Sequence, residues 1–214
     1  MYKFENYLRG RLGMKLSLLA GVAVSAMLLA APQASANGYK PYVSVFGGAS
    51  VLTQNPHIDY STSGLYSYDI LMNSPGYVIG GAVGVEWGNH VRTELELSHA
   101  RWSSDKYRYY DHHTVDGGTT DYSSGAAVSA TYLLGNAWLD LNQGSRITPY
   151  IGGGAGIGWA NLGAFQTNYS GYDFSATGFA FQLGAGVRIN VSDKVVIDAG
   201  YRYKDIVGLK KSPQ

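Results

Sequence analysis

From residue 40 onward, apolar and polar positions alternate with a period of two, and no stretch sustains the 3.6-residue period of an amphipathic helix. On residues 179–191, the odd positions carry mostly large apolar side chains, while the even positions carry small or polar ones. A period of two is typical of strands whose two faces meet different surroundings. The pattern predicts seven strands, at residues 40–52, 77–88, 91–103, 126–141, 147–160, 179–191 and 195–206.

The connections between these strands alternate in length. Three are long and rich in Gly, Ser, Tyr, Asn and Asp, and three are tight turns. This alternation is typical of an up-and-down antiparallel barrel, in which one rim (here the loop rim) carries long loops and the other (the short-turn rim) is trimmed. The long connections are residues 53–76, 104–125 and 161–178, and the tight turns are residues 89–90, 142–146 and 192–194.

The composition of the two faces distinguishes a soluble barrel from a membrane barrel. On residues 77–88, the odd face is mostly apolar from Tyr77 to Trp87, whereas the even face is mostly Gly and Ala. A soluble barrel needs an outer face rich in polar side chains, and the second face is too poor in them. A membrane barrel has the reverse arrangement, with the apolar face in lipid and a more polar interior. The sequence therefore predicts an all-β transmembrane barrel, with Gly and Ala leaving room for long charged side chains inside.

Aromatic residues on the apolar face indicate the edges of the lipid-facing band. Tyr77 and Trp87 lie ten positions apart on one face, which is about 25 Å of height at about 3.3 Å per residue and a tilt near 40°. His99 and Arg101 share the lipid-facing parity, so either they lie above the membrane or a bulge shifts the register. The predicted aromatic girdle comprises Tyr77, Trp87, Trp159, Phe179, Phe181, Tyr201 and Tyr203.

The inward face collects five acidic and four basic residues, and buried charges must be paired. Two hypotheses fit them: an ion path through the barrel, or a plug of ion pairs that fixes the barrel, which we favour. The predicted lumen charge network comprises Glu86, Arg92, Glu94, Glu96, Asp140, Arg188, Asp198, Arg202 and Lys204.

Residues 1–36 have the layout of a secretory signal peptide. Basic residues precede an uncharged apolar run over residues 16–31, and Ala34-Ser35-Ala36 forms a small-x-small cleavage pattern. The run is short for a transmembrane helix, which needs about 20 apolar residues. We predict cleavage near Ala36 and a barrel domain over residues 37–214; Met14 alone could also start the leader.

Overall composition excludes several classes of protein. The 214 residues include 29 Gly and 18 Tyr but only 14% charged residues, which excludes a disordered chain or a coiled coil. The absence of Cys excludes disulfides and thiolate metal sites. A net charge of +1 is not the excess of positive charge that is typical of nucleic-acid-binding proteins. No cofactor is expected.

Three segments carry a family resemblance: VRTELELSHAR (91–101), ITPYIGGGAGIGW (147–159) and VVIDAGYRYKDI (195–206). Together with the leader they resemble the outer-membrane β-barrel domain family, which includes outer membrane protein A-like barrels and opacity-type surface antigens of Gram-negative bacteria. The resemblance implies an eight-stranded barrel in the cell outer membrane, with periplasmic termini, long surface loops and insertion by the barrel-assembly machinery. Family members include surface antigens, adhesins, small porins and structural proteins.

The end of the chain departs from this family pattern. The resemblance implies an eighth strand ending in an aromatic residue, but the seventh strand runs into residues 208–214 and stops. Seven strands would leave the first and seventh unpaired or force a strained closure, and unpaired backbone groups in lipid are costly. We therefore expect a truncated reading frame.

Several loop residues are candidates for binding or chemistry. Asp111, His112, His113 and Asp116 could hold a divalent metal, although solvated His residues are commoner, and no metal site is predicted. Ser98 and His99 point to opposite faces of a strand, so they cannot pair as nucleophile and base, and no enzymatic activity is expected. Nine tyrosines in or beside the long loops fit either a contact surface for a host or surface ligand or a place at the lipid interface: Tyr60, Tyr66, Tyr68, Tyr107, Tyr109, Tyr110, Tyr122, Tyr169 and Tyr172.

The sequence thus predicts a non-enzymatic outer-membrane barrel with a structural or surface-antigen role, in contact with outer-membrane lipid. The alternatives are a small porin that passes ions or small solutes and a host-binding adhesin.

Overall fold

The computed structural model describes residues 16–29, 39–53, 57–59, 66–70, 75–88, 90–111, 118–142, 145–167, 170–192 and 195–211. Its regular elements are all β-strands, and these residues include no helix long and apolar enough to cross a membrane. The ten strands are β1 (Leu16–Leu29), β2 (Lys40–Leu52), β3 (His57–Asp59), β4 (Tyr66–Ile70), β5 (Gly76–Glu86), β6 (Val91–Asp111), β7 (Gly118–Asp140), β8 (Ile147–Thr167), β9 (Ser170–Asn190) and β10 (Val195–Lys211).

Eight of these strands form a closed antiparallel ring in the order β1, β2, β5, β6, β7, β8, β9, β10. The strands are staggered around the ring. Starting at Tyr42 of β2 and stepping from each residue to its paired residue on the next strand, one returns to β2 at Leu52, ten residues nearer the loop rim. Ten residues correspond to a stagger of about 33 Å along the strands, and eight strands side by side are about 38 Å wide. The ratio of these two lengths gives a strand tilt near 40° to the barrel axis. Each residue therefore rises about 2.5 Å along the barrel axis.

The seven strands predicted from alternation are β2, β5, β6, β7, β8, β9 and β10, so the all-β barrel prediction is confirmed. The expectation that the first and seventh would be left unpaired, or close on each other, concerned residues 37–214 alone, and it stays a prediction for them. Strand β1 lies between them, with 11 registered pairs to β10 and 9 to β2. This strand falls within the predicted leader, whose removal stays a prediction and would open the ring at this place.

Much of the sequence predicted as long loops is in fact strand. Strands β6 and β7 stay paired up to Asp111 and Gly118, and β8 and β9 stay paired up to Thr167 and Ser170. In the remaining long connection, β3 pairs with β4, and β4 pairs with the loop-rim end of β6. The alternation pattern did not reveal these extensions, because a strand that projects beyond the membrane does not need an apolar face. The Tyr and Thr residues in these extensions do favour strands.

The exposure of side chains alternates along the barrel in the sense expected for a membrane protein. Leu95, Leu97 and Leu183 on the outer face are 54%, 58% and 60% exposed, whereas the alternate positions of the same strands are buried or half-buried. A surface of aliphatic side chains is favourable in hydrocarbon and unfavourable in water. The outer face is therefore the lipid-facing surface.

The register resolves the placement of His99 and Arg101. Pairing of β6 with both neighbours runs without a shift from Val91 to Arg101, so no bulge moves these residues to the inner face. Arg101 pairs with Tyr77, and the ring of His99 hydrogen-bonds the hydroxyl of Thr131 at 2.9 Å. Both residues therefore lie at the upper edge of the apolar band, level with the predicted girdle.

The predicted girdle residues all lie on the outer face, but they do not all lie at an edge of the band. Trp87 lies at the short-turn rim, where its ring packs against that of Tyr39, and Tyr77 lies near the loop rim. Tyr201 is six residues from the start of β10, which is about 15 Å up a band of about 25 Å. The structure therefore places Tyr201 between the two edges of the band rather than at one of them. Trp159 and Phe179 lie toward the loop rim, as do Phe181 and Tyr203, whose ring centroids are 6.1 Å apart.

Candidate functional site

The inner face near the short-turn rim carries a cluster of two arginines and two carboxylates. The Nε of Arg92 donates to both carboxylate oxygens of Asp140, at 3.0 and 3.1 Å. Arg188 donates to Asp140 at 2.7 Å with one terminal nitrogen and to Glu86 with the other. Strands β5, β6, β7 and β9 each contribute one member, so the cluster ties together four strands of the ring.

Glu96 is the centre of a second cluster, halfway up the lumen. Its carboxylate is fully buried and accepts hydrogen bonds from Arg202 at 2.9 Å and from Lys204. Three neutral donors complete its surroundings: Ser98 at 2.8 Å, Asn136 at 3.0 Å and Gln182 at 2.9 Å. One carboxylate thereby joins strands β6, β7, β9 and β10 across the barrel.

Aromatic hydroxyl and indole groups donate hydrogen bonds to the two acidic residues between these clusters. Glu94 accepts from the Tyr42 hydroxyl at 2.9 Å and from the Trp138 indole at 2.7 Å. Asp198 accepts from the Tyr150 hydroxyl at 2.8 Å. Both carboxylates therefore accept hydrogen bonds from uncharged aromatic donors.

Two of these aromatic rings, together with Tyr132, lie under the buried cations. The guanidinium carbon of Arg92 is 5.0 Å from the Tyr150 ring centroid, and that of Arg202 is 5.0 Å from Trp138. Lys204 Nζ lies 5.1 Å from the Tyr132 centroid. Cation–π contacts of this kind gain strength when they are desolvated.

Glycines of the inner face make room for these rings, rather than chiefly for charged side chains as the sequence suggested. A Cβ on Gly84 would lie 2.5 Å from the Tyr42 ring, and one on Gly152 would lie 2.7 Å from the Trp138 ring. Because such separations are far inside van der Waals contact, any larger residue would displace the ring.

Above the Glu96 cluster, toward the loop rim, the inner face is mostly apolar, with Ser50 and Ser104 as buried polar residues. This corrects the expectation of a lumen lined by tiny or charged residues throughout. Trp102 is fully buried there, and its indole donates to the Ser50 carbonyl at 3.2 Å. The other members of this apolar cap are Phe46, Val78, Ala100, Val128, Ala130, Tyr132, Leu134, Ala160, Ala180 and Ile206.

The structure thus places all nine predicted lumen residues on the inner face, eight of them buried and Glu86 half-buried at the rim. They form two ion-paired clusters with the aromatic-held carboxylates between them. Sequence reasoning missed the neutral partners, although strand parity could have found them. Tyr42, Asn136, Trp138, Tyr150 and Gln182 occupy even positions, like the nine charged residues.

Neither alternative chemistry gains support from the described residues. Ser98 faces inward onto Glu96 and Lys204, whereas His99 lies on the outer face against Thr131. Residues 112–117, which include most of the metal candidate, lie outside the described residues. Within the described part of the chain, no group of three or more His, Cys, Asp or Glu side chains could hold a metal ion.

Comparison with known proteins gives a family match over most of the chain. The family model described as "Outer membrane protein beta-barrel domain" matches residues 17–212. An outer membrane protein of Gluconacetobacter diazotrophicus is 30% identical over 212 residues, covering 88% of this chain and 52% of the relative.

Two further relatives match more narrowly. An uncharacterized protein of Brucella abortus is 28% identical over 160 residues, covering 67% of this chain and 56% of that protein. The outer membrane protein PagN of Salmonella typhimurium is 32% identical over 79 residues, or 34% of this chain and 32% of PagN. The chain spans about half the length of the first two relatives. No solved structure matches.

Proposed function

The chain belongs to the outer-membrane β-barrel domain family, and we propose that it is a structural barrel with a sealed lumen that presents its loop rim at the cell surface. The observation that carries this proposal is the filling of the lumen. Salt bridges, aromatic rings and an apolar cap follow one another from the short-turn rim toward the loop rim.

The pairing of the buried charges supports a plug rather than an ion path. Glu96 binds both Arg202 and Lys204, and Asp140 binds both Arg92 and Arg188. A permeating ion would have to separate these pairs, and leaving one buried charge without its partner costs about 3–5 kcal/mol. It would then meet the apolar cap around Trp102 and Val128, where neither water nor charge is favourable.

Planar-bilayer recording on the refolded chain tests the seal. Far-ultraviolet circular dichroism and protease protection of the same preparation establish that the barrel is folded and inserted. We expect no stepwise conductance above the lipid baseline. Large, stable conductance steps from the folded protein would contradict the plug and support the small-porin alternative.

We also propose that the barrel is not an enzyme, with outer-membrane lipid and the barrel-assembly machinery as partners and no binding of nucleic acid. The separation of Ser98 and His99 onto opposite faces supports this, since a nucleophile and its base must lie within hydrogen-bonding distance. Hydrolysis assays on lipid and peptide substrates test it. Turnover that persists with purified, folded protein would contradict the proposal.

A further inference from the structure

A cavity opens on the outer face of the barrel, where the pairing of β5 with β6 ends. The last registered pair joins Tyr77 of β5 to Arg101 of β6, and the pairing of β6 with β4 begins only at Tyr107. The cavity has a volume of about 410 Å³, within the range of about 300–1,000 Å³ that is usual for small-molecule sites. It is lined by Pro75, Gly76, Tyr77, Arg101 and Ser103.

Three side chains with hydrogen-bond donors meet at this cavity. Arg101 provides a guanidinium, and Tyr77 and Ser103 each provide a hydroxyl. All three side chains are exposed, and none has a hydrogen-bond or ion-pair partner within the described part of the chain. Tyr77 lies opposite Arg101, and Ser103 lies two residues farther along the same strand, so both are on its face of the sheet within about 7 Å.

The charge around the cavity favours an anion. Among the outward-facing side chains of β5 to β9 that the structure describes, none is acidic, so no described carboxylate there competes for Arg101. The planar guanidinium can donate two parallel hydrogen bonds to phosphate oxygens, and such charge-assisted bonds are stronger than neutral ones. The hydroxyls of Tyr77 and Ser103 can donate to further oxygens of the same group. The chemistry of the cavity therefore suits a phosphate ester.

The depth of the cavity in the membrane points to a lipid rather than to a soluble anion. Arg101 lies at the upper edge of the apolar band, and Ser103 lies about 5 Å above it at the tilt of the barrel. Because the headgroup layer of a bilayer is about 5–8 Å thick, these donors lie at the level of lipid phosphates, where cations attract anionic headgroups. Directly below, on the same two strands, Ile79 and Leu97 are 55% and 58% exposed, which suits contact with acyl chains.

We propose that the cavity at Tyr77, Arg101 and Ser103 binds the phosphate group of an outer-leaflet lipid, whose acyl chains lie against Ile79 and Leu97. Both parts of the site lie on β5 and β6, so a single lipid reaches them. The proposal rests on the outward orientation of the loop rim proposed above, which puts this edge of the apolar band in the outer leaflet. The site is outside the barrel, so the lumen takes no part.

Binding of purified lipid A, a phosphorylated glycolipid of outer leaflets, to the full chain in detergent tests this proposal. The probes are lipid A with its phosphates, the same lipid after dephosphorylation, and inorganic phosphate as a competitor. We expect the phosphorylated lipid to bind at least about fivefold more tightly than the dephosphorylated one, which is the ratio that one cation at a membrane surface confers. Equal affinity for the two lipids would overturn the proposal. Displacement of lipid A by an equal concentration of inorganic phosphate would overturn the choice of a lipid over a soluble anion.

A second exposed arginine provides a matched control. Arg101→Gln should weaken binding of phosphorylated lipid A about fivefold and leave binding of the dephosphorylated lipid unchanged. Arg146 is also exposed, but it precedes β8 at the short-turn rim, so Arg146→Gln should leave the binding of both lipids unchanged. Equal losses in the two variants would show a general attraction between charges and would overturn the proposal.

Arg101→Lys guards against an effect of folding, because it keeps the positive charge at the cavity. This variant should bind phosphorylated lipid A nearly like the unmodified chain. A loss as large as that of Arg101→Gln would show that the charge is not what binds the lipid, and the proposal would fall. Because bilayer conductance is measured independently, failure here leaves the sealed-lumen proposal standing, and conductance from the folded barrel would leave this site unaffected.

Discussion

Replacing Glu96 by Gln removes the anion that binds the buried cations Arg202 and Lys204. The substitution keeps the shape of the side chain but turns one of its two oxygens into an N–H donor, which then faces other donors. Lys204 retains Ser98 at 2.7 Å and Arg202 retains its ring contacts, yet both lose their charged partner. Removing one partner of a buried ion pair costs about 3–5 kcal/mol, a large part of a total stability of about 5–15 kcal/mol.

Glu86→Gln is the matched control for this substitution. Glu86 is half-buried at the rim, and its partner Arg188 keeps Asp140 at 2.7 Å. We therefore expect Glu86→Gln to cost at most about 1 kcal/mol, as a partly solvated pair does.

Urea unfolding of the refolded barrel in vesicles measures both values, with tryptophan fluorescence as the probe. In the double variant, Lys204→Met should recover part of the loss caused by Glu96→Gln, because it removes a cation left without its partner. The reasoning is refuted if Glu96→Gln and Glu86→Gln cost the same, or if Glu96→Gln costs under about 1 kcal/mol.

Three further predictions concern the packing, the lipid-facing surface and the closure of the ring. The Cβ of Gly152→Ala would lie 2.2 Å from a backbone oxygen, so this substitution should lower the free energy of unfolding in urea by about 1–3 kcal/mol. The Cβ of Gly135→Ala would have its nearest atom at 3.9 Å, so this control should cost about 0.5 kcal/mol or less. Equal costs would contradict the tight inner packing. In the same assay, Leu95→Arg should cost about 2–4 kcal/mol. Ser129 pairs with Arg101 at the edge of the apolar band, so Ser129→Arg should cost only about 0–1 kcal/mol. The reverse order would contradict the placement of the membrane. A chain made without β1 should fold less stably in vesicles than one that retains it, because β2 and β10 lose a registered neighbour; equal stability would show that β1 contributes nothing to closure.

Strand parity accounts for most of what the sequence could predict. On β6, the alternation of Arg92, Glu94 and Glu96 with Thr93 and Leu95 is visible directly, and it assigns each residue to the correct face. The same rule fails for the strand segments beyond the membrane, since strands outside the membrane need not alternate. It also could not reveal that the apolar segment of β1 pairs between β2 and β10, because pairing across the whole chain depends on register rather than on local pattern.

Which residues contact one another inside the barrel was also beyond the sequence. Parity places Glu94 and Trp138 on the inner face, but only the stagger between strands determines that the indole reaches the carboxylate. Likewise Gly84 gives no sign in the sequence that it leaves space for the Tyr42 ring. Each contact in the lumen joins side chains from two strands, so the sequence of one strand alone does not show which partner a side chain reaches.

The central claim is that odd residues of β6 face lipid and even residues face a packed lumen. The chain has no Cys, so single cysteines along residues 93–98 can each carry a spin label without background. In vesicles, the account predicts high accessibility to oxygen dissolved in the lipid at Thr93, Leu95 and Leu97, and low accessibility at Glu94 and Glu96. Accessibility without a period of two, or with high values at the even positions, would contradict it.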